Sequence, residues 1–497
     1  MSTVGNNRAS VFAVVEETEE AVLKAPSAGS DFLPLRPGFG MEYKAEELTN
    51  DELQSDIGMA KSNKGKESVD GSHDAYIKGS GSEGIVPGIG KLYKNILGEE
   101  GVLAFNYTLT SGSTKSVLKL PTGAGENFFK GQAILIKDGV NGYNIRNIKD
   151  IVGDDLHLNF DLPSAPASGV QLGQTVVYMP SSVDSGTLSA WLYQGNGYAK
   201  TATAGCRVTE VSAEFPVNQF ANAKFKYQGV KYYMNPVIIT DDNNWLDFKD
   251  DTGFKACQIK NGVYKNVVEI AVALQDAMNA ASTKNFEVTY SNETGSLKFK
   301  TLDSTLFELP FATGGHAANS IGPSIFFMGD LDSLTEYEAV QEYDNVIPPT
   351  YDVSDSIVMK DAEFYIGAKD MLIPRSASKA TLKIVKKLED ADGITEETGT
   401  RSKVATSREV TLEAELILDK HDVSLYNYLV NNETISVMLN CGPKVAKNWV
   451  AGKCFNAYMP NAVVTGFSPA GDQFIIAKIS VRGFIDNNYK DIFVSFI

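Results

Sequence analysis

The sequence has 497 residues and a formal net charge of −17; 43% of its residues are hydrophobic and 22% are charged. This length exceeds one ordinary domain, and the composition is that of a globular chain that can bury sizeable cores. The negative net charge argues against a protein that binds nucleic acid tightly, because such binding requires clustered Lys and Arg side chains that contact the phosphates. It does not exclude a surface past which nucleic acid slides, because negative charge repels phosphates.

The four cysteines and four histidines are scattered along the chain. No cysteines form a CxxC pair and no histidine lies at ligand spacing from them, so we expect free thiols, no zinc site and no cofactor. The sequence contains no apolar run of membrane-spanning length, and its N-terminus lacks the apolar core of a signal peptide. We therefore expect a product made in the cytoplasm without a membrane partner.

The first segment, residues 1–101, predicts two strands joined by a long polar loop from about Glu46 to Lys66, then a strand and a short helix. Leu92–Leu97 carries apolar residues at helical spacing, and Gly98 is expected to end that helix. Residues 102–180 then change character and predict a small all-β domain inserted into the first unit. Its expected strands are Ser116–Leu120, Gly131–Ile136, Tyr143–Ile148, Asp155–Phe160 and Gly173–Tyr178.

Residues 235–332 predict a compact α+β insertion. It contains an amphipathic helix over Asn266–Ala281, with apolar residues on one face. A hairpin follows, formed by Phe286–Tyr290 and Leu297–Lys300 around a turn at Asn292–Gly295. The acidic stretch beyond it predicts a linker over residues 333–354.

The last segment, residues 355–497, repeats the first unit. Phe474–Gly483 matches Phe220–Gly229 at an offset of 254, and the helical pattern Leu425–Val430 matches Leu92–Leu97 at an offset of 333. The offsets differ by 79, which agrees with the length of the insertion at 102–180. This copy also has a polar loop at about Leu388–Ser407, and His421-Asp422 are expected to cap its helix. The sequence therefore predicts two copies of one unit.

Three segments in order carry a resemblance to a known family: Glu83–Gly98, Thr187–Tyr193 leading into Gly205–Thr209, and Ser407–Thr411. Together they resemble the major tail tube proteins of tailed bacteriophages over nearly the whole chain. The resemblance implies that each copy is a small β-sandwich or half-barrel flanked by one helix, and that subunits associate laterally into rings lined by strands. It also implies that rings stack through the long hairpin loops and the termini.

The expected fold class is mainly β with short helices: two tail-tube-type domains, at 1–101 plus 181–234 and at 355–497, with the all-β and α+β insertions on the outside. Two tube domains per chain favour a ring of three chains over one of six. The resemblance further implies a virion tail location, tail-tip and tail-terminator proteins as partners, a tape measure protein in the lumen, and DNA that passes without specific binding. The inter-ring candidates are the charged loop residues Glu46, Glu47, Asp51, Glu52, Asp56, Lys61, Lys64, Glu389, Asp390, Glu396, Glu397 and Arg401.

The sequence contains no complete catalytic motif, so we do not expect an enzyme. Gly79–Gly84 lacks the GK[ST] ending of a phosphate-binding loop, and Asp241–Asn244 lacks the glycine and distal glutamate of a calcium loop. No Ser-His-Asp or Cys-His set stands out. Two alternatives stay open: another virion component of the same fold, such as a neck, baseplate or tail-tip protein, and a carbohydrate-binding β-protein.

Overall fold

The structure is a computed structural model that describes residues 10–27, 29–52, 61–195, 199–291, 294–327, 329–339, 355–368, 372–418, 424–470, 475–486 and 489–497. The protein is mainly β, with 52% strand, 10% helix and a half-barrel sheet. This confirms the expected class of a mainly β protein with short helices.

The chain begins with the first strands and the short helix of the first half of the molecule: β1 (Val11–Glu16), β2 (Phe32–Leu33), β3 (Gly40–Leu48), β4 (Asn63–Tyr76) and α1 (Gly90–Leu97). Helix α1 ends at Gly98, whose φ of 115° is readily adopted only by glycine. The polar loop expected over 46–66 is shorter than predicted, because Ala45 pairs with Glu67 and Leu48 with Asn63 in the β3–β4 ladder.

The first insertion follows α1, with strands β5 (Gly98–Leu103), β6 (Tyr107–Thr108), β7 (Val117–Lys119), β8 (Ala133–Asp138), β9 (Gly142–Val152), β10 (Asp155–Leu158), β11 (Gln171–Leu172) and β12 (Thr175–Pro180). Six of them form a sheet in the order β6-β11-β8-β9-β10-β7. This sheet has its own hydrophobic core, which includes Leu118, Ile134, Ile136 and Leu156. Strands β5 and β12 pair with each other beside it.

The first half then closes with β13 (Leu188–Gln194), β14 (Ala199–Pro216), β15 (Asn222–Gly229) and β16 (Lys231–Met234). Its strands follow the order β2-β1-β13-β14-β15-β4-β3, and all of these pairings are antiparallel. Alternate residues along β15 are buried, which is the pattern of a strand with one face on a core.

The second insertion contains β17 (Val237–Ile239), β18 (Trp245–Asp250), β19 (Gly253–Gln258), β20 (Gly262–Tyr264), α2 (Val267–Ala281), β21 (Phe286–Ser291), β22 (Ser296–Thr301), β23 (Phe307–Leu309), β24 (Leu331–Leu334) and β25 (Glu336–Glu338). The Asn266 side chain caps α2 by accepting the Glu269 N–H at 3.0 Å. Strand β25 pairs with β22, and Ala339 is buried in this module's core. The expected linker start at 333 is therefore wrong: the module continues through 339, and 340–354 lie outside the described residues.

The second half contains β26 (Glu363–Ala368), β27 (Ile373–Arg375), β28 (Ala377–Asp392), β29 (Thr400–Ile417), α3 (Ser424–Val430), β30 (Ile435–Cys441), β31 (Lys444–Val445), β32 (Asn448–Trp449), β33 (Phe455–Ala470), β34 (Ile476–Gly483) and β35 (Phe493–Phe496). The polar loop expected over 388–407 is wrong for most of its length. Strands β28 and β29 form one long hairpin that stays paired out to Asp392 and Thr400. The expected cap at His421-Asp422 lies outside the described residues.

The two halves have the same strand order, because β27-β26-β30-β33-β34-β29-β28 reproduces the order of the first half. Strands β15 and β34 are separated by the predicted offset of 254. A single hydrophobic core joins both halves and includes Val211, Phe225, Leu382, Phe455 and Ile479. Apart from the linker start at 333, the limits of the predicted domains stay predictions.

All four cysteines are buried and free, which confirms the expected free thiols. Four short 3-10 turns complete the described secondary structure: Gly29–Asp31, Gly125–Asn127, Ala317–Asn319 and Gly322–Ile325.

Candidate self-assembly surface

The two halves are joined by an antiparallel pairing of β14 with β28, which we call the internal seam. Glu210 lies opposite Val385, Val211 opposite Ile384 and Ala213 opposite Leu382. Val211, Ala213, Leu382 and Ile384 are fully buried, each with 0% exposure. The seam joins four strands of each half into a continuous run of eight strands within the large sheet, in the order β3-β4-β15-β14-β28-β29-β34-β33, which we call the eight-stranded sheet.

The direction of the backbone groups at the seam follows from one bond just beyond it. Val217 donates its N–H to the Ser378 carbonyl oxygen at 3.0 Å. In an antiparallel ladder the residues along a strand direct their N–H and C=O groups alternately to one neighbour and then to the other. Val211 and Ala213 therefore direct their N–H groups across the seam, whereas Ser212 lies in a pair without backbone hydrogen bonds.

Each strand of the seam has a counterpart in the other half. Strand β14 shifts register after Val208, and β33 shifts register after Val464, in both cases at the following threonine. Aligning these irregularities makes Val211 equivalent to Phe467 and Ala213 equivalent to Pro469. Strands β15 and β34 are equivalent, so the strands that pair with them, β4 and β29, are equivalent as well. Their other neighbours, β3 and β28, are then equivalent too, which makes Met41 equivalent to Leu382 and Tyr43 to Ile384.

These counterparts form the two ends of the eight-stranded sheet, which we call the open edges. Among the described strands, β3 pairs with β4 alone, and beyond Ala462 β33 pairs with β34 alone. Leu382 and Ile384 have 0% exposure, whereas Met41, Tyr43 and Phe467 are half-buried. An unpaired sheet edge is a template for another strand.

One face of the eight-stranded sheet is polar and faces solvent. Residues directly opposite one another in paired strands project from the same face. On this polar face the register brings together the acidic residues Glu42, Asp70, Asp74, Glu210, Glu214, Glu409, Glu413 and Glu415 and the basic residues Lys44, Lys224, Lys226, Lys379, Lys383, Lys478 and Arg482. Acidic and basic groups are nearly equal in number, so the acidic excess of the whole chain does not lie here.

Ion pairs couple these charges across neighbouring strands. The Lys226 ammonium lies 3.1 Å from the Glu210 carboxylate. The Lys44 ammonium lies 2.7 Å from the Asp70 carboxylate. The pKa of Lys44 is raised, mainly by the hydrogen bond to Asp70. Exposed pairs of this kind contribute little to folding. On the polar face they hold at least four of the seven basic residues, namely Lys44, Lys226, Lys383 and Lys478, next to a carboxylate.

The long hairpins of the two halves contact each other beyond the sheet. Lys66 of β4 bridges Asp390 at 2.7 Å and Asp392 at 2.8 Å. Lys403 lies 2.6 Å from Asp390, and Glu67 donates its N–H to the Thr398 carbonyl oxygen at 2.9 Å. The hairpins therefore support each other within one chain, and the tip of the β28–β29 hairpin carries a fully exposed apolar residue, Ile394.

The expected inter-ring residues are distributed over both hairpins. In the first hairpin, Glu46, Glu47 and Lys64 lie in strands, and Asp51, Glu52 and Lys61 lie beside them, whereas Asp56 is outside the described residues. In the second hairpin, Glu389 and Asp390 lie in β28, Glu396 and Glu397 in the turn, and Arg401 in β29. Glu47 accepts a hydrogen bond from Ser62 and Glu397 pairs with Lys265, so both have partners within the chain. Contact with a second ring stays a prediction.

Two buried titratable groups lie under the sheet. Burial lowers the pKa of His73 to about 3, and its ring stacks on Phe12 with centroids 4.5 Å apart. Burial also lowers the pKa of Lys386 to about 8, with Arg207 acting in the same direction and Asp184 against it. The Lys386 ammonium donates to the Asn95 carbonyl oxygen at the end of α1.

The amino-acid sequence alone does not predict which strands form the seam. A signal was present, because Val208-Thr209-Glu210-Val211-Ser212 matches Val464-Thr465-Gly466-Phe467-Ser468 in three of five positions. It could identify the repeat but not the pairing, because the register between β14 and β28 depends on strands that are far apart in the chain.

Other kinds of site are not evident in the described part of the chain. It contains no group of three or more His, Cys, Asp or Glu side chains placed to hold a metal ion. Within the same ranges, no helix has the length and apolar character needed to cross a membrane.

Fold and surface together define a class: a mainly β protein in which two equivalent half-sheets join through one seam and leave the counterpart edges open. No protein-family model and no curated protein matches the chain. Among solved structures, a type six secretion system protein is similar at 11% identity, with 24% of this chain and 77% of that chain covered and a TM-score of 0.16. The Hcp1 protein from the E. coli EAEC 042 pathovar is similar at 12% identity, with 26% and 95% covered and a TM-score of 0.17. Similarity at these scores supports no conclusion about function.

Proposed function

We propose that this chain is a structural protein whose copies join edge to edge into rings, and that the rings stack into the tail tube of a tailed bacteriophage. The observation that carries the proposal is the internal seam together with its open counterparts. A contact that already joins one half to the next can be repeated between chains. A repeated head-to-tail contact gives a ring when its rotation closes, and closure removes the exposed edges.

Three chains would place six half-sheets in such a ring, and we favour this number over six chains. The polar face then lines the lumen, and the two insertions lie outside. Balanced, paired charges suit a lumen through which a tape measure protein and then DNA pass without binding. A lysine already held by a carboxylate offers little to a phosphate, and unpaired charges farther away are screened beyond about 8 Å at physiological salt.

Tail-tip and tail-terminator proteins are the further partners that this function requires, because an open tube needs a start and an end. The virion tail is the location that we propose for the protein.

The test is assembly of the purified full-length chain across a range of concentrations and salt. Native mass spectrometry should give complexes in multiples of three chains, and negative-stain electron microscopy should show rings or tubes with threefold symmetry. A chain that stays monomeric under all of these conditions, including with a tail-tip protein as initiator, would contradict the proposal. Rings of six chains would support the proposed tube but exclude the proposed ring of three chains.

A further inference from the structure

We infer that β33 of one chain pairs antiparallel with β3 of a second copy in a defined register, and that Pro469 keeps this contact weaker than the internal seam. In this register Phe467 lies opposite Tyr43, Ser468 opposite Glu42 and Pro469 opposite Met41. We call this contact the intermolecular seam. The inference rests on the proposed self-association and adds to it the partner strand and the residue pairs.

The register follows from the internal seam by equivalence. Val211, Ser212 and Ala213 lie opposite Ile384, Lys383 and Leu382. Replacing each of these residues by its counterpart at an open edge gives the three pairs stated above. The register irregularities of β14 and β33 fall at equivalent positions, and β3 and β28 each shift register at the corresponding point, after Ala45 and after Lys387.

Burial at equivalent positions supports the same partner. Tyr43 and Phe467 are half-buried apolar residues on the core side of the sheet, where their counterparts Ile384 and Val211 have 0% exposure. Next to the seam, Ala221 has 0% exposure and donates its N–H to the Ile357 carbonyl oxygen at 2.8 Å. A second copy would cover the open edge in the way that the second half covers the first.

The start of β34 is exposed where the equivalent start of β15 is covered. Ile475, the counterpart of Ala221, is 66% exposed. Nearby Ile417 is 41% exposed. A second copy placed against this edge, as the second half is placed against the first, would cover both side chains.

Pro469 distinguishes the two seams. Its counterpart Ala213 directs an N–H across the internal seam, but proline has no N–H to donate. The intermolecular seam therefore lacks the bond from residue 469 to the Met41 carbonyl oxygen, and it retains the bonds between Phe467 and Tyr43. Proline on the outer side of an edge strand is a known means of limiting unwanted pairing. It would keep free chains from associating before assembly begins.

The register can be tested by disulfide formation between two variants of the full-length chain. Ser468→Cys in one chain and Glu42→Cys in another lie in a pair without backbone hydrogen bonds, where Cα atoms are about 4.5 Å apart and a disulfide can form. Ser468→Cys with Lys44→Cys is the diagonal control, with Cα atoms about 7–8 Å apart. Ser212→Cys with Lys383→Cys in one chain is the matched control for the internal seam, and the native cysteines are buried.

We expect rapid dimer formation with the direct pair, little with the diagonal pair, and an intrachain disulfide in the internal control. Rings that assemble normally while the diagonal pair cross-links and the direct pair does not would overturn the register but leave the proposed function standing. The same holds if neither pair cross-links in assembled rings. Absence of any assembly would instead overturn the proposed function and the inference with it.

The role of Pro469 has its own test. Pro469→Ala restores the N–H and should lower the chain concentration at which rings form by about two- to tenfold per seam, the range expected for one added hydrogen bond. Ser468→Ala, whose N–H points away from the seam, is the control and should leave that concentration unchanged. A Pro469→Ala chain that assembles no more readily than wild type would overturn the inference.

Discussion

Ala213 and Leu382 lie directly opposite each other in the internal seam, and both side chains are completely buried. A pair of this kind makes the two halves one cooperative unit, since each side chain completes the core of the other half. Their counterparts, Pro469 and Met41, are on opposite ends of the same sheet. The chain therefore contains one completed contact and, at two separate edges, the counterparts of its two sides.

The first prediction compares equivalent residues of the two seams. Leu382→Ala should lower the free energy of unfolding by about 2–5 kcal/mol, because it leaves a cavity in a closed core. Met41→Ala should cost the isolated chain about 1 kcal/mol, because the half-buried side chain is already partly in water. Urea unfolding measures both. Met41→Ala should in turn weaken ring formation, and equal losses of stability in the two variants would argue against an open edge at β3.

The second prediction concerns acid. The folded pKa of His73 is about 3, below the ordinary value of 6.5, so between these values the unfolded chain takes up a proton that the folded chain does not. The free energy of unfolding should therefore fall as pH decreases from 6.5 to 3, by up to about 5 kcal/mol from this group. His73→Phe should flatten that slope, measured by urea unfolding at several pH values. His157→Phe, at a half-buried site in β10, is the control and should keep the wild-type slope.

The third prediction concerns alkali. The folded pKa of Lys386 is about 8 and its ordinary value is 10.5, so the unfolded chain holds more protons between these values. The free energy of unfolding should rise with pH from 8 to 10.5, by about 3 kcal/mol from this group. Lys386→Met should abolish this rise. A Lys387→Met chain, altered at the exposed neighbouring position, should retain it, and identical slopes in all three proteins would contradict the assignment.

The fourth prediction concerns the tip of the β28–β29 hairpin. Ile394 is fully exposed, and Glu396 and Glu397 follow it, so we expect this tip to contact the next ring. Ile394→Ser should leave the melting temperature and the size of single rings unchanged while shortening tubes in electron micrographs. Val140→Ser, an exposed apolar residue at a turn of the first insertion, is the control. Tubes of normal length from Ile394→Ser would remove this tip from the stacking contact.

The sequence was most informative where a pattern is local. The helix ended by Gly98 and the helix capped by Asn266 both depend on residues within one or two turns, and both form as predicted. The repeat was also visible, because β15 and β34 keep a constant offset.

The sequence was least informative where strands continue into polar segments. Residues 388–392 and 400–407 have the composition of a loop, yet they pair as a hairpin, because Lys66 and Lys403 neutralise the acidic residues of β28 and cross-strand bonds satisfy the backbone. The seam was not predictable for a related reason. Pairing between β14 and β28 joins residues more than 160 positions apart. No local sequence pattern predicts which strand edge will pair with which other edge.

Fusion of the two halves also restricts the arithmetic of assembly. Because each chain contributes its half-sheets in joined pairs, a closed ring must contain an even number of them. Every second junction around such a ring is made during folding of a single chain and does not depend on protein concentration. In the ring that we propose, only the junctions in between would respond to dilution, so regulation of assembly would act on half of the contacts.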